Sequence, residues 1–156
     1  MKPPWLIIAE KELGQKEEKE GENSRIIEYH NTTYLSADKD EVPWCSSFVN
    51  WCIEQVGIKG TKSAAAKSWL WWGQALLLPV VGCICIIKKK QLGIDRATGS
   101  SSGYHVAFWL DEQEGRVHLL GGNQSDSVKM SSFNLESYDI LGYRMPIGWE
   151  AKGEKV

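Results

Sequence analysis

Apolar residues change their spacing near Pro79, and the change divides the chain into a helical first part and a stranded second part. Leu6, Ala9 and Leu13 stand at helical intervals within residues 4–13, and Gly14 falls where a C-terminal cap belongs. A short amphipathic helix is expected there. The run Gln15 to Glu22 is charged and reads as a solvated connector, while Ile26, Ile27, Tyr29 and Tyr34 suggest that the next segment docks on the body. Residues 35–42 are polar, carry Asp38, Asp40 and Glu41, and read as loop. Pro43 suits a helix start, and Phe48, Val49, Cys52, Ile53 and Val56 then recur every three or four residues until Gly57. That spacing predicts a buried helix of roughly three to four turns with Cys45 in its first turn. A second helix is expected from Ser63, an N-cap residue, through Trp72 to Gly73.

Beyond Pro79 the apolar runs are short and rich in β-branched and aromatic residues. Strands are expected over 80–87, 104–110, 116–120, 127–133 and 140–145, separated by Gly, Ser, Asn and Asp. The small residues of Thr98-Gly99-Ser100-Ser101-Ser102-Gly103 form a flexible loop directly before His105. Helices followed by strands is the order of an α+β domain with an antiparallel sheet. At 156 residues the chain suits one domain, 1–156, with its own core.

Composition narrows the class. The chain is 42% apolar and 24% charged with formal charge -2, which offers no reason to invoke nucleic acid or an anionic membrane as partner. Eight tryptophans exceed ordinary usage, and fill a core or stack on sugars or peptides in a groove. Before Glu10 only Trp5 to Ala9 are consecutively apolar, too few for a signal peptide or a membrane span. Synthesis in the cytoplasm is therefore expected, and the four cysteines, at 45, 52, 83 and 85, are expected as thiols. Action on an outside substrate would then need release or delivery.

Chemistry concentrates around Cys45. A thiol at a helix start lies near the positive end of the macrodipole, which favours the nucleophilic thiolate. A free cysteine is also a common core residue, so position alone does not separate the two roles. His105 interrupts the apolar strand Tyr104 to Leu110, and the next strand ends in Gly121-Gly122-Asn123-Gln124. For a regular hairpin centred near Glu114, paired residue numbers sum to 228 (105 + 123), which sets His105 opposite Asn123 on one face. A slip of one residue would break that pairing. Cysteine nucleophile, histidine base and a polar residue to hold the ring is what thiol catalysis requires. Backbone N–H groups at the helix start, including that of Cys45, would form the oxyanion hole. Gly121 and Gly122, lacking side chains, would let substrate backbone approach.

These residues resemble the CHAP and NlpC-type branches of the papain-like superfamily, and in particular a small phage- and prophage-associated family of cell-wall hydrolases. The resemblance runs from Trp5-Leu6 and Glu12-Leu13-Gly14, through Pro43 to Cys52 and Ala66 to Trp69, to His105-Val106, Gly121 to Val128 and Gly142 to Pro146. It covers nearly the whole chain. It implies a papain-like fold, N-terminal helices packed on the sheet, and metal-free, cofactor-free hydrolysis of a peptidoglycan amide bond. Cys45 carries over as nucleophile, His105 as base and Asn123 as orienting residue. The Gly-Asp pair that often opens the first core strand in these families is Gly82-Cys83 here, which removes a carboxylate from that strand. A role in phage lysis and a secreted antibacterial toxin with an immunity protein both fit. A wall-binding module without turnover and a protein deamidase or acyltransferase are the alternatives.

The remaining candidates carry less. Trp44 and Gly122 are expected to line the substrate groove with Gln124, and Tyr34 stands as an unassigned candidate. His118 reads as structural or surface, His30 as exposed, and Cys52 as core. Cys83 and Cys85 are spaced to share one strand face, but a single intervening residue is not zinc-ligand spacing and no second cysteine pair follows.

Overall fold

A computed structural model describes residues 2–18, 22–34 and 43–149. Helices α1 (Pro4–Lys11), α2 (Ser24–His30) and α3 (Cys45–Gln55) come first, then a 3-10 helix at Ala66–Trp71. Six strands follow: β1 (Gln74–Leu76), β2 (Ile84–Lys89), β3 (Tyr104–Gln113), β4 (Arg116–Gln124), β5 (Ser127–Asn134) and β6 (Tyr138–Met145). They form one antiparallel sheet in the order β1-β6-β2-β3-β4-β5, so the domain is α+β as the residue pattern predicts. The predicted loop at 35–42 lies outside the described residues.

The central helix is α3, in which every residue from Cys45 to Ile53 is buried. Its polar residues are satisfied locally: the Ser46 hydroxyl donates to Ser63 C=O at 2.6 Å and accepts from Trp69 Nε1 at 2.9 Å. Asn50 Oδ1 accepts from the Lys62 N–H at 2.9 Å. Such pairing lets a helix with polar side chains all round lie inside a core. Alternation along the strands splits the apolar residues between two clusters. Ile84, Ile86, Val106, Phe108 and Leu120 pack against α3 and its neighbours, whereas Cys85, Ile87, Ala107, Val117, Leu119, Phe133 and Tyr138 form the other cluster.

The second cluster is enclosed by curvature. β5 and β6 lie four strands apart in the sheet, yet only Leu135, Glu136 and Ser137 separate them in the chain. The sheet must therefore curl until its ends approach, and the Phe133 and Tyr138 rings meet edge to face at 5.1 Å. The Leu135 N–H donates to Gly115 C=O and the Lys90 N–H to Ser137 C=O, closing the curl.

Several local expectations change. The helix sought at 63–73 shortens to the 3-10 turn from Ala66, and α2 forms where only docking was anticipated, capped by the Asn23 side chain. The start of the charged connector pairs with the sheet. Gly14 N–H donates to Val128 C=O, Val128 N–H to Gln15 C=O and Glu17 N–H to Asp126 C=O, so this segment pairs with the outer edge of β5. An unpaired sheet edge is thereby covered, which alternation of charges could not reveal. His30 is fully buried, with Nδ1 3.1 Å from Ser47 Oγ, rather than exposed. Cys83 and Cys85 part company: Cys83 precedes β2 and packs with the helices, while Cys85 faces the second cluster.

Candidate active site

Cys45 is the first residue of α3, following the uncapped Trp44. Its sulfur lies against β3, where the backbone N–H of Val106 faces it together with those of Ser46 and Cys45. Burial pushes the thiol up, and these three donors oppose the shift. The thiol borders a cleft of about 160 Å³. Pro43 and Ala64 to Ala66 form one wall; Thr98, Ser100, Ser101, Ser102 and Tyr104 form the other. The Ser/Gly loop before β3 is therefore the roof of the thiol's cleft.

His105 stands one residue before Val106 and is fully buried. By alternation it shares a face with Ala107, and its ring lies 5.7 Å from Phe133 in the second cluster. Burial drives the imidazole down to about 4, against the raising influence of the Gln124 hydrogen bond and the Asp95 charge. Both groups of the candidate pair are thus neutral near pH 7. Among the described residues no hydrogen bond joins the thiol to the ring, and Nδ1 of His105 is buried without a partner. The backbone sets Cys45 beside Val106, next to His105, but the thiol packs in the cluster on the α3 side of β3 whereas the ring lies with Phe133 in the second cluster on the other face.

The ring's partner is Gln124 and not Asn123. Nε2 of His105 lies 3.0 Å from Gln124 Oε1, and the Gln124 amide donates to Lys129 C=O at 2.7 Å and Leu119 C=O at 3.3 Å. The cause is a bulge. β4 and β5 pair as Gly121↔Lys129 (sum 250) and then as Gln124↔Ser127 (sum 251), one extra residue in β4, with Asn123 at φ 56. The extra residue puts Gln124 on the face where strict alternation places Asn123. Asn123 Oδ1 is instead buried without a partner among the described residues, and the side chain packs on Gly99, where a Cβ would come within 2.7 Å of Nδ2. Sums of 228 do occur in the hairpin, at Phe108↔Leu120 and Trp109↔Leu119. Nearer the turn the sum is 229, from a two-residue turn at Glu114-Gly115 offset by a second irregularity at Leu110.

The expected groove residues serve packing. Trp44 is fully buried, stacks on Tyr29 at 5.8 Å and donates from Nε1 to Glu17 Oε1 at 2.9 Å. A Cβ on Gly122 would stand 2.7 Å from both Phe48 Cβ and the Trp44 ring. The glycine lets β4 approach α3 and leaves no path for substrate. Tyr34 is exposed and does not border the cleft; His118 pairs with Asp111 at the partly exposed end of the hairpin.

Further residues beside the site carry little signal in the sequence. Tyr104 and the hydroxyls of Thr98 and Ser100 to Ser102 line the cleft, and only the loop's position before His105 hinted at this. Asp95 is 1% exposed and anchors that loop. Among the described residues no group of three or more His, Cys, Asp or Glu is placed to hold a metal ion, and no helix is long and apolar enough to cross a membrane. No protein-family model matches this chain, and no curated protein matches it.

Proposed function

We propose that the protein is a papain-like cysteine hydrolase that cleaves an amide bond in the peptide of bacterial peptidoglycan. One observation carries the reading: a thiol at the first residue of a buried helix lies against the strand of a histidine whose Nε2 is held by a buried glutamine. The Gln124 contact leaves Nδ1 as the ring atom for the sulfur. The mechanism requires the ring to turn from the second cluster toward the thiol when substrate binds, since catalytic hydrogen bonds are often made only in the substrate complex.

In that complex His105 takes the thiol proton as the sulfur attacks the carbonyl carbon, because a raised thiol and a lowered imidazole do not form an ion pair beforehand. Backbone N–H groups at the start of α3 stabilise the tetrahedral oxyanion. The imidazolium then protonates the leaving amine, the C–N bond breaks, and a thioester remains on Cys45. Water, deprotonated by His105, attacks the thioester and returns the thiol. The peptidoglycan substrate rests on the resemblance of the motifs around Cys45, His105 and Gly121 to Gln124. Delivery to the wall, by lysis or as a toxin restrained by an immunity protein, belongs to the same reading.

A second reading, wall binding without turnover, has its own support. A separate cleft of about 450 Å³ is lined by Trp71, Trp72 and Trp149, and Trp71 is 76% exposed. Exposed indole faces stack on sugar rings. Zymography on purified walls, with mass spectrometry of the released fragments, separates the readings. Wild type should clear and release fragments with new amine and carboxyl ends, while Cys45→Ala should bind without clearing. Equal clearing by both rejects the thiol mechanism, and release of ammonia from protein glutamines instead identifies a deamidase.

A further inference from the structure

Asp95 is a buried carboxylate that the mechanism above does not use. It lies in the segment between β2 and β3, and side chains from β2 and β6 converge on it together with its own segment. Its Oδ1 accepts from the Ala97 N–H at 3.0 Å, and its Oδ2 accepts from Thr98 Oγ1 at 3.1 Å and from Tyr138 Oη of β6 at 2.8 Å. Lys89 Nζ of β2 stands 3.7 Å from Oδ1. Its backbone N–H donates to Ser100 C=O at 2.8 Å, and Ala97 C=O accepts from the Ser125 N–H at 2.9 Å, just beyond Gln124.

These bonds have two consequences. They tie down the loop whose Thr98, Ser100, Ser101 and Ser102 roof the Cys45 cleft. They also hold one negative charge behind the base: Tyr138, which hydrogen-bonds Asp95, touches Phe133 at 5.1 Å, and Phe133 touches His105 at 5.7 Å. A fully buried imidazole cannot borrow water to stabilise its charged form. Of the groups near it, Gln124 and Phe133 are neutral, and Cys85 in the same cluster is a thiol. Asp95 supplies the anion that favours a proton on the ring.

We propose that Asp95 is a positioning residue of the active site, fixing the roof loop over Cys45 and supplying the fixed negative charge that stabilises the His105 imidazolium when the thiol gives up its proton. The proposal rests on reading Cys45 and His105 as nucleophile and base. Lys89 tempers the charge from the other side, so the two side chains should act in opposite directions.

The test measures the rate and pH profile of Cys45 alkylation by iodoacetamide, located by peptide mass mapping. That readout needs no wall substrate, so absence of wall hydrolysis would overturn the functional reading while leaving this result intact. Asp95→Asn keeps shape and removes charge, and should slow alkylation at pH 7 by about fivefold to tenfold and move its profile to higher pH. Lys89→Met, at a partly exposed site, should fold normally and speed alkylation. Should Asp95→Asn not fold, Lys89→Met alone decides: an unchanged or slower rate overturns the proposal. A wild-type rate and profile in folded Asp95→Asn overturns it as well.

Discussion

His105 Nε2 lies 3.0 Å from Gln124 Oε1, inside the curl of the sheet and out of reach of solvent. The contact fixes which ring nitrogen is committed and which remains for chemistry. Because Gln124 is clamped in turn by two backbone carbonyls, its amide orientation is set: the NH2 group must face Lys129 and Leu119, so the oxygen must face the histidine. His105 then carries its proton on Nε2 when neutral, leaving Nδ1 a lone pair suited to a base.

Gln124→Ala should lower wall-clearing activity by at least ~100-fold, the scale on which a catalytic histidine depends on its orienting partner. It should also cost about 1–3 kcal/mol through stranded buried groups, so rates must be compared below the mutant's unfolding transition. Asn123→Ala should lose much less activity. Initial rates of fragment release check the order, and a greater loss in Asn123→Ala would restore Asn123 as the orienting residue.

Acid should unfold the protein in a window set by His105. The folded imidazole titrates near 4, against 6.5 for the free side chain, so between these values the unfolded chain binds more protons. Stability is complete above about 6.5 and falls as pH drops toward 4; the gap corresponds to about 3 kcal/mol. Urea unfolding of wild type and His105→Gln at a series of pH values checks this. The slope over that window should be shallower in the variant.

Gly122→Ala should destabilise by about 1–3 kcal/mol, because the added methyl meets Phe48 and Trp44 at 2.7 Å between two packed elements. The midpoint of urea unfolding reads the loss. A neutral result would mean that β4 can retreat from α3, and would reopen the glycine's role in admitting substrate.

Trp44→Ala should cost about 3–5 kcal/mol through a core cavity and the loss of the Tyr29 and Glu17 contacts. Binding to purified walls by the folded fraction should stay unchanged. Weakened binding with unchanged stability would instead place Trp44 in a substrate groove.

Much of the architecture is legible in the residues. The three-and-four spacing from Phe48 to Val56 marks α3; the start expected at Pro43 falls two residues later, so Cys45, expected in the first turn, is the first residue of the observed helix. The alternating runs after Pro79 anticipate five of the six strands, because burial of one face writes a period of two into the side chains. β1 escapes, since three residues at a sheet edge carry too little pattern. So does the pairing of Gln15 to Glu17 with β5, which is made by backbone groups and leaves no period in the side chains.

The candidate site divides along the same line. By itself the sequence determined that a thiol opens a buried helix, that a histidine interrupts a buried strand, and that a polar pair ends the next strand, because helix starts and strand alternation are local properties. Only the tertiary structure decided that Gln124 rather than Asn123 holds the ring, that Trp44 and Gly122 are packed between α3 and β4, and that Asp95 sits behind His105. Each of these turns on one inserted residue, on the close approach of β4 to α3, or on the curl of the sheet. A single bulge reverses which side chains face the interior, and curvature brings together residues from β2, β6 and a loop that no short-range period connects.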